Sequence, residues 1–139
     1  MRDIKFRYRI KNIRTEEIEK PILSLDEIQS GSYKYLFCKY YIVLSRDQFS
    51  ERYDKNGKEV YEGDWVEIKN PKCQVQKAIL QGVVVFRYGS FGVEIKKVMQ
   101  WDGYSKHADP PEIMWFLNLV NNKEIEIIDN EFENPELKI

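Results

Sequence analysis

Asp54-Lys55-Asn56-Gly57-Lys58-Glu59-Val60-Tyr61-Glu62-Gly63-Asp64-Trp65-Val66 reverses the chain twice in one short stretch. Asn56-Gly57 supplies the positive φ angles that a tight hairpin turn needs, so Glu59 to Tyr61 should be the returning arm. Glu62-Gly63-Asp64 turns the chain again. Trp65-Val66-Glu67-Ile68-Lys69 then alternates apolar and polar residues as a half-buried strand does, until Asn70-Pro71 stops it. Turns this close together call for short strands on either side.

Downstream, Val75 to Phe86 is a long β-prone run, and Gly82 within it marks a bulge or a close backbone approach. Arg87-Tyr88-Gly89-Ser90 turns that run into Phe91 to Val98, the clearest hairpin in the chain. Ser105 to Pro111 reads as a loop. Asp109-Pro110-Pro111-Glu112 has the N-cap, proline and acidic residue that begin a helix. Ile113, Met114, Phe116, Leu117 and Val120 fall on one helical face, so a short helix is expected, with a buried strand as the alternative. Glu124 to Ile128 alternates as a further strand, and Asn134-Pro135-Glu136-Leu137 reads as a turn and a tail.

Upstream, Ile4-Lys5-Phe6-Arg7-Tyr8-Arg9-Ile10-Lys11 alternates without a break. As a strand it sends Ile4, Phe6, Tyr8 and Ile10 to a core and Lys5, Arg7, Arg9 and Lys11 to the opposite face. Ser24-Leu25-Asp26-Glu27 has the form of a capping box and Gly31 could close the far end, which predicts a helix of one or two turns near 24 to 30. Pro21 prevents a longer one. Tyr33 to Phe37 and Tyr40 to Leu44, rich in aromatic and β-branched residues, should be strands.

Composition bounds the function. At 139 residues the chain fits one domain, with a division into two small lobes as the alternative. An aromatic share of 14% favours strands and packed or interfacial rings. No stretch approaches the apolar length of a membrane span and the first residues have no signal-like apolar core, so a cytoplasmic protein is expected. Cys38 and Cys73 form no Cys-x-x-Cys pair, and His107 is the single histidine; multi-histidine metal sites are excluded and a nucleophilic triad has one candidate base. Ser105-x-His107 is the nearest such pairing, and a solvated loop histidine is the plainer reading. No glycine-rich phosphate loop is present, and no carboxylate spacing selects an acid/base pair. We expect no enzyme, no metal and no cofactor.

The net charge of −1 argues against wholesale coating of nucleic acid. The charge is segregated: the first fourteen residues are basic and the last seventeen acidic. Side chains on one strand face recur about every 6.6 Å, so Lys5, Arg7, Arg9 and Lys11 could meet successive phosphates. Alternatively Glu124 and Glu126 neutralise them, with the first and last strands as neighbours. The same asymmetry would serve a homo-oligomer, the basic end of one copy meeting the acidic tail of the next. Tyr61, Trp65 and Trp101 could form an aromatic patch for a peptide or a base; packing into the core is the plainer alternative.

Three blocks, in order, also carry a likeness: Met1-Arg2-Asp3-Ile4-Lys5-Phe6-Arg7, the Asp54 to Val66 stretch, and Ile125-Glu126-Ile127-Ile128-Asp129-Asn130-Glu131-Phe132-Glu133-Asn134-Pro135-Glu136-Leu137. Together they resemble the YopX family of bacteriophage and prophage proteins. The resemblance implies a mainly β fold, a small SH3-like partly open barrel or roll with elaborations and one or two short helices, arranged as one domain or as an N-terminal elaboration (residues 1–50) on a β-barrel core (residues 51–139), encoded by a phage or prophage. It implies no activity. In two places the chain departs from the family's pattern, at Glu51-Arg52-Tyr53, where Gly-Leu is frequent, and at Asp129, where Gly is frequent; both bear on local turn geometry. The expected role is a protein-interaction or assembly module whose partner is a protein or a second copy of itself, through Lys5, Arg7, Arg9, Lys11, Tyr61, Trp65 and Trp101. A nucleic-acid-binding accessory protein is the alternative; neither a membrane nor a small-molecule substrate is expected.

Overall fold

A computed structural model describes residues 4–31, 33, 38–69, 75–103, 111–116 and 120–130. The described elements are β1 (Lys5–Asn12), β2 (Ile18–Glu19), β3 (Ile22–Ser24), α1 (Leu25–Ser30), β4 (Tyr41–Tyr53), β5 (Glu59–Tyr61), β6 (Asp64–Lys69), β7 (Val75–Arg87), β8 (Ser90–Gly103), β9 (Ile113–Trp115), a 3₁₀ turn (Asn122–Glu124) and β10 (Ile125–Asn130). The fold is mainly β. The chain divides into two compact units, 1–49 and 50–139.

In the first unit β1 pairs antiparallel with β2, β3 and β4. Its alternation works as expected on the apolar side: Tyr8 and Ile10 are buried with Leu23, and Phe6, Ile28, Tyr33 and Tyr41 pack around them. The predicted short helix is α1. Ser24 Oγ accepts from the Glu27 N–H while Glu27 Oε1 accepts from the Ser24 N–H, and Gly31 closes the helix at φ 73°. Strand β4 runs well past the expected Tyr40 to Leu44, because backbone pairing with β1 from Asn12↔Tyr41 to Phe6↔Gln48 holds residues whose side chains show no alternation. The short β2 and β3 have no signal in the sequence, because strands of two or three residues are too brief to display a period.

In the second unit, which begins with the last residues of β4, β5 is hydrogen-bonded to β4. The other five strands form an antiparallel sheet in the order β10-β6-β7-β8-β9, curled as a half-barrel. Its core includes Val60, Val66, Ile68, Leu80, Val93 and Ile125, each with 0% exposure. Burying such a side chain stabilises by about 1.5–3 kcal/mol. Trp101 packs against this core.

The stretch that predicts two reversals is tied down by two buried carboxylates. Asp54 Oδ1 accepts from the Asn56 and Lys58 N–H groups at 2.9 Å each, and Oδ2 accepts from the Ile127 N–H at 3.3 Å. Gly57 supplies the left-handed residue at φ 80°. Asp64 Oδ2 accepts from the Tyr61 N–H at 2.8 Å and Oδ1 from Asn130 Nδ2 at 3.0 Å. Each carboxylate thus closes its own turn and anchors it to β10.

Gly82 answers to both expectations for it. The β7–β8 register shifts between Gln81 and Gly82, and a Cβ at residue 82 would lie 2.0 Å from the Glu94 carbonyl oxygen. The two departures from the family pattern also fall on backbone irregularities: Glu51 holds φ at 66°, and the β10 register shifts between Ile127 and Asp129.

Two expectations are corrected. Ile113–Trp115 is a strand, not the start of a helix: Met114 is buried between two half-buried neighbours, a period of two, and pairs with Val93 of β8. The alternative in which the first and last strands pair is also not borne out. β10 pairs with β6, and β1 with β2, β3 and β4. Residues 34–37, 70–74, 104–110 and 131–139 lie outside the described residues, and with them the strand expected at Tyr33 to Phe37, the Asn70-Pro71 stop, the Asp109-Pro110 cap and the tail. No helix among the described residues is long and apolar enough to cross a membrane.

Candidate functional site

The basic ladder of β1 meets its counter-charge inside its own unit. Asp47 on β4 faces it across the sheet: Oδ2 accepts from Arg7 Nη2 at 2.9 Å and from Arg9 Nη1 at 2.7 Å. Arg9 also donates to Ser45 Oγ at 3.1 Å and is 1% exposed. Lys5 Nζ sits 4.6 Å from the Phe49 ring centroid, and Lys11 is half-buried. Glu124 and Glu126 are engaged elsewhere: Glu126 pairs with Lys55 at 2.6 Å, which raises the Lys55 pKa, and Glu124 Oε1 accepts from the Asn121 N–H. The ladder is therefore partly neutralised by an aspartate that has no regular spacing to reveal it.

Tyr61 and Trp65 do not form an exposed patch, being 2% and 8% exposed. With Trp101 packed against the core, the three rings behave as the packing alternative has it. His107 and Cys73 lie outside the described residues, and Cys38 is a half-buried free thiol. Among the described residues no cluster of His, Cys, Asp or Glu is arranged to hold a metal ion.

A different aromatic pair meets at the surface, an exposed tyrosine against a half-buried tryptophan. The β7–β8 hairpin closes through Tyr88-Gly89, with φ at 55° and 77°, the double positive φ of a type I′ turn. The first of those positions favours Asn, Asp or Gly; here it holds a tyrosine that is 93% exposed. Its ring meets Trp115 of β9 edge-on, with centroids 6.5 Å apart. Trp115 can lie on the sheet because Gly92, its cross-strand partner, has no side chain: a Cβ there would stand 3.0 Å from Trp115 Cε3.

Charged groups border this pair. Glu94, between Gly92 and the bulge at Gly82, bridges Arg87 and Lys96. Its carboxyl is held below the ordinary glutamate range by the Lys96 hydrogen bond, against the opposing effect of burial, with Arg87 adding to the shift. A cavity of about 440 Å³ is lined by Arg87, Glu94, Ile95, Lys96, Glu112 and Ile113. Glu112 is exposed, and no ion pair engages its carboxylate among the described residues.

The sequence held faint signs of this face. A tyrosine in a two-residue turn has nowhere to pack, and Trp115 is the one residue of 113 to 116 left off the apolar helical face. Neither sign is specific without the register that brings β9 beside the hairpin.

A strand-built molecule that carries a solvent-exposed tyrosine against a half-buried tryptophan, beside the Arg87–Glu94–Lys96 ion pairs, is a small mainly β protein. The chain belongs to the YopX family: the model of that family, described as YopX protein, matches residues 7–137. No curated protein matches it significantly.

Proposed function

We propose that the chain is a non-enzymatic protein-interaction module, phage- or prophage-encoded and cytoplasmic, whose contact surface is the β7–β8 hairpin tip with β9. The observation that carries this reading is Tyr88 itself. A non-glycine residue in the left-handed region costs about 1–2 kcal/mol, and at 93% exposure the ring recovers little of that by burial. The fold would be served better by glycine or asparagine at this position, so the tyrosine is explained by what it meets outside the unit. Tyr, Trp and Arg are the residues that anchor protein interfaces, and Tyr88, Trp115 and Arg87 stand together here.

The charge on this face favours a protein over a nucleic acid. Arg87 and Lys96 are offset by Glu94 and Glu112, which leaves no positive field to collect phosphates. The alternative, nucleic-acid binding through Lys5 to Lys11, is weakened by the pairing of Arg7 and Arg9 with Asp47. The test is affinity capture from bacterial host lysate with the full chain and its Tyr88→Ala variant, matched for folding by circular dichroism. A partner held by the first and lost at least tenfold by the second supports the reading. Equal recovery by both removes Tyr88 from the interface.

A further inference from the structure

A cavity of about 470 Å³ in the second unit is lined by Arg52, Asn121, Asn122 and Lys123. Arg52, near the end of β4, is spread across its wall. Its Nε donates to Asn122 Oδ1 at 2.7 Å, Nη1 to the Phe116 carbonyl at 2.8 Å, and Nη2 to the Val120 carbonyl. The guanidinium carbon sits 5.4 Å from the Phe116 ring centroid. These bonds use three of the five N–H donors of a guanidinium, leaving one on each terminal nitrogen.

Every one of those acceptors is neutral. Among the described residues Arg52 has no carboxylate partner, and burial pushes its pKa down with no carboxylate to raise it. Among the described residues the cavity lining carries two cations, two amides and no acid. Glu124, the nearest acid along the 3₁₀ turn, has its carboxylate on the Asn121 N–H at 3.0 Å. A partly buried cation without a counter-charge is unfavourable, and the same reduced dielectric strengthens its attraction for any anion that enters. A planar fork of N–H donors matches two oxygens of a phosphate or carboxylate. Because Asn122 Oδ1 is occupied by Arg52, its amide nitrogen is the end left to donate.

We propose that this cavity is an oxyanion site, taking a phosphate or carboxylate group, with Arg52 and Lys123 supplying charge and Asn121 and Asn122 supplying amide donors. It is independent of the Tyr88 surface. The competing explanation is that Arg52 only staples Phe116, Val120 and Asn122 to β4; a staple requires no anion and no lysine.

The experiment is isothermal titration of the full chain with inorganic phosphate and, separately, with acetate, against chloride at matched ionic strength. Saturable binding of either supports the site, and which of the two binds names the oxyanion. Lys123→Gln, at an exposed position outside the core, should fold normally and weaken binding by about tenfold, the effect of one charge-assisted contact. No saturable binding of either anion overturns the proposal. So does binding that Lys123→Gln leaves unchanged, since the anion then sits elsewhere.

Discussion

Replacing Asp54 by alanine tests whether one buried carboxylate holds the central turn to the last strand. The side chain accepts from three backbone N–H groups, those of Asn56, Lys58 and Ile127, and the residue is 3% exposed. In Asp54→Ala, water can reach the Asn56 and Lys58 amides, both in exposed turn residues, so each loss is limited to about 0.5–1.5 kcal/mol. The Ile127 N–H lies on a half-buried strand, and its weaker 3.3 Å bond adds about 1 kcal/mol. The sum is about 2–4 kcal/mol, a large share of the 5–15 kcal/mol that stabilises a typical domain. Urea unfolding followed by circular dichroism should show a midpoint lower by about 1–2 M, given slopes of about 1–3 kcal/mol/M. Asp54→Asn keeps an oxygen for Asn56 and Lys58 but sets an NH₂ group against the Ile127 N–H, so it should lose roughly half as much. A midpoint shift under about 0.5 M for the alanine variant, or identical behaviour of the two variants, would refute the reasoning.

Three further substitutions probe other joints. Gly82→Ala puts a carbon 2.0 Å from the Glu94 carbonyl oxygen; β7 and β8 must separate, and the melting temperature should fall by about 10 °C, whereas an unchanged melt would mean the strands are not so close. Glu51→Gly should stabilise the protein by about 0.5–1 kcal/mol, because Glu51 sits at φ 66° and glycine accepts that angle; a loss in urea unfolding would contradict the strain argument. Glu94→Gln removes a carboxylate whose folded pKa is depressed. Such a group contributes stability above its unfolded pKa of about 4.3 and loses it as the pH falls through the folded value. Lys96 and Arg87 are partly exposed, so the deficit of the Gln variant at pH 7 should be under about 1 kcal/mol and should close at acid pH; a deficit that widens there would reverse the sign.

Much of the fold was legible because local chemistry and tertiary structure agree. The Ser24–Glu27 capping box is complete within four residues, and the turns at Gly57 and Tyr88-Gly89 announce their own hairpins, although of Asn56-Gly57 only the glycine takes a positive φ. What the sequence hides depends on register. Asp47 is one acid in a polar run until β4 sets it opposite Arg7, and the 113–116 segment satisfies a helical period until Gly92 offers Trp115 a flat seat. The candidate surface suffered most. Tyr61 and Trp65, aromatic residues of the expected patch, are buried, whereas a turn places Tyr88 in solvent.

The most direct test of the interaction reading is photo-crosslinking in bacterial cells, with p-benzoylphenylalanine at position 88 and, as control, at the exposed Lys97 of β8. The account predicts a discrete protein adduct from position 88 that is absent from position 97. No adduct at position 88, or the same adducts from both positions, would contradict it.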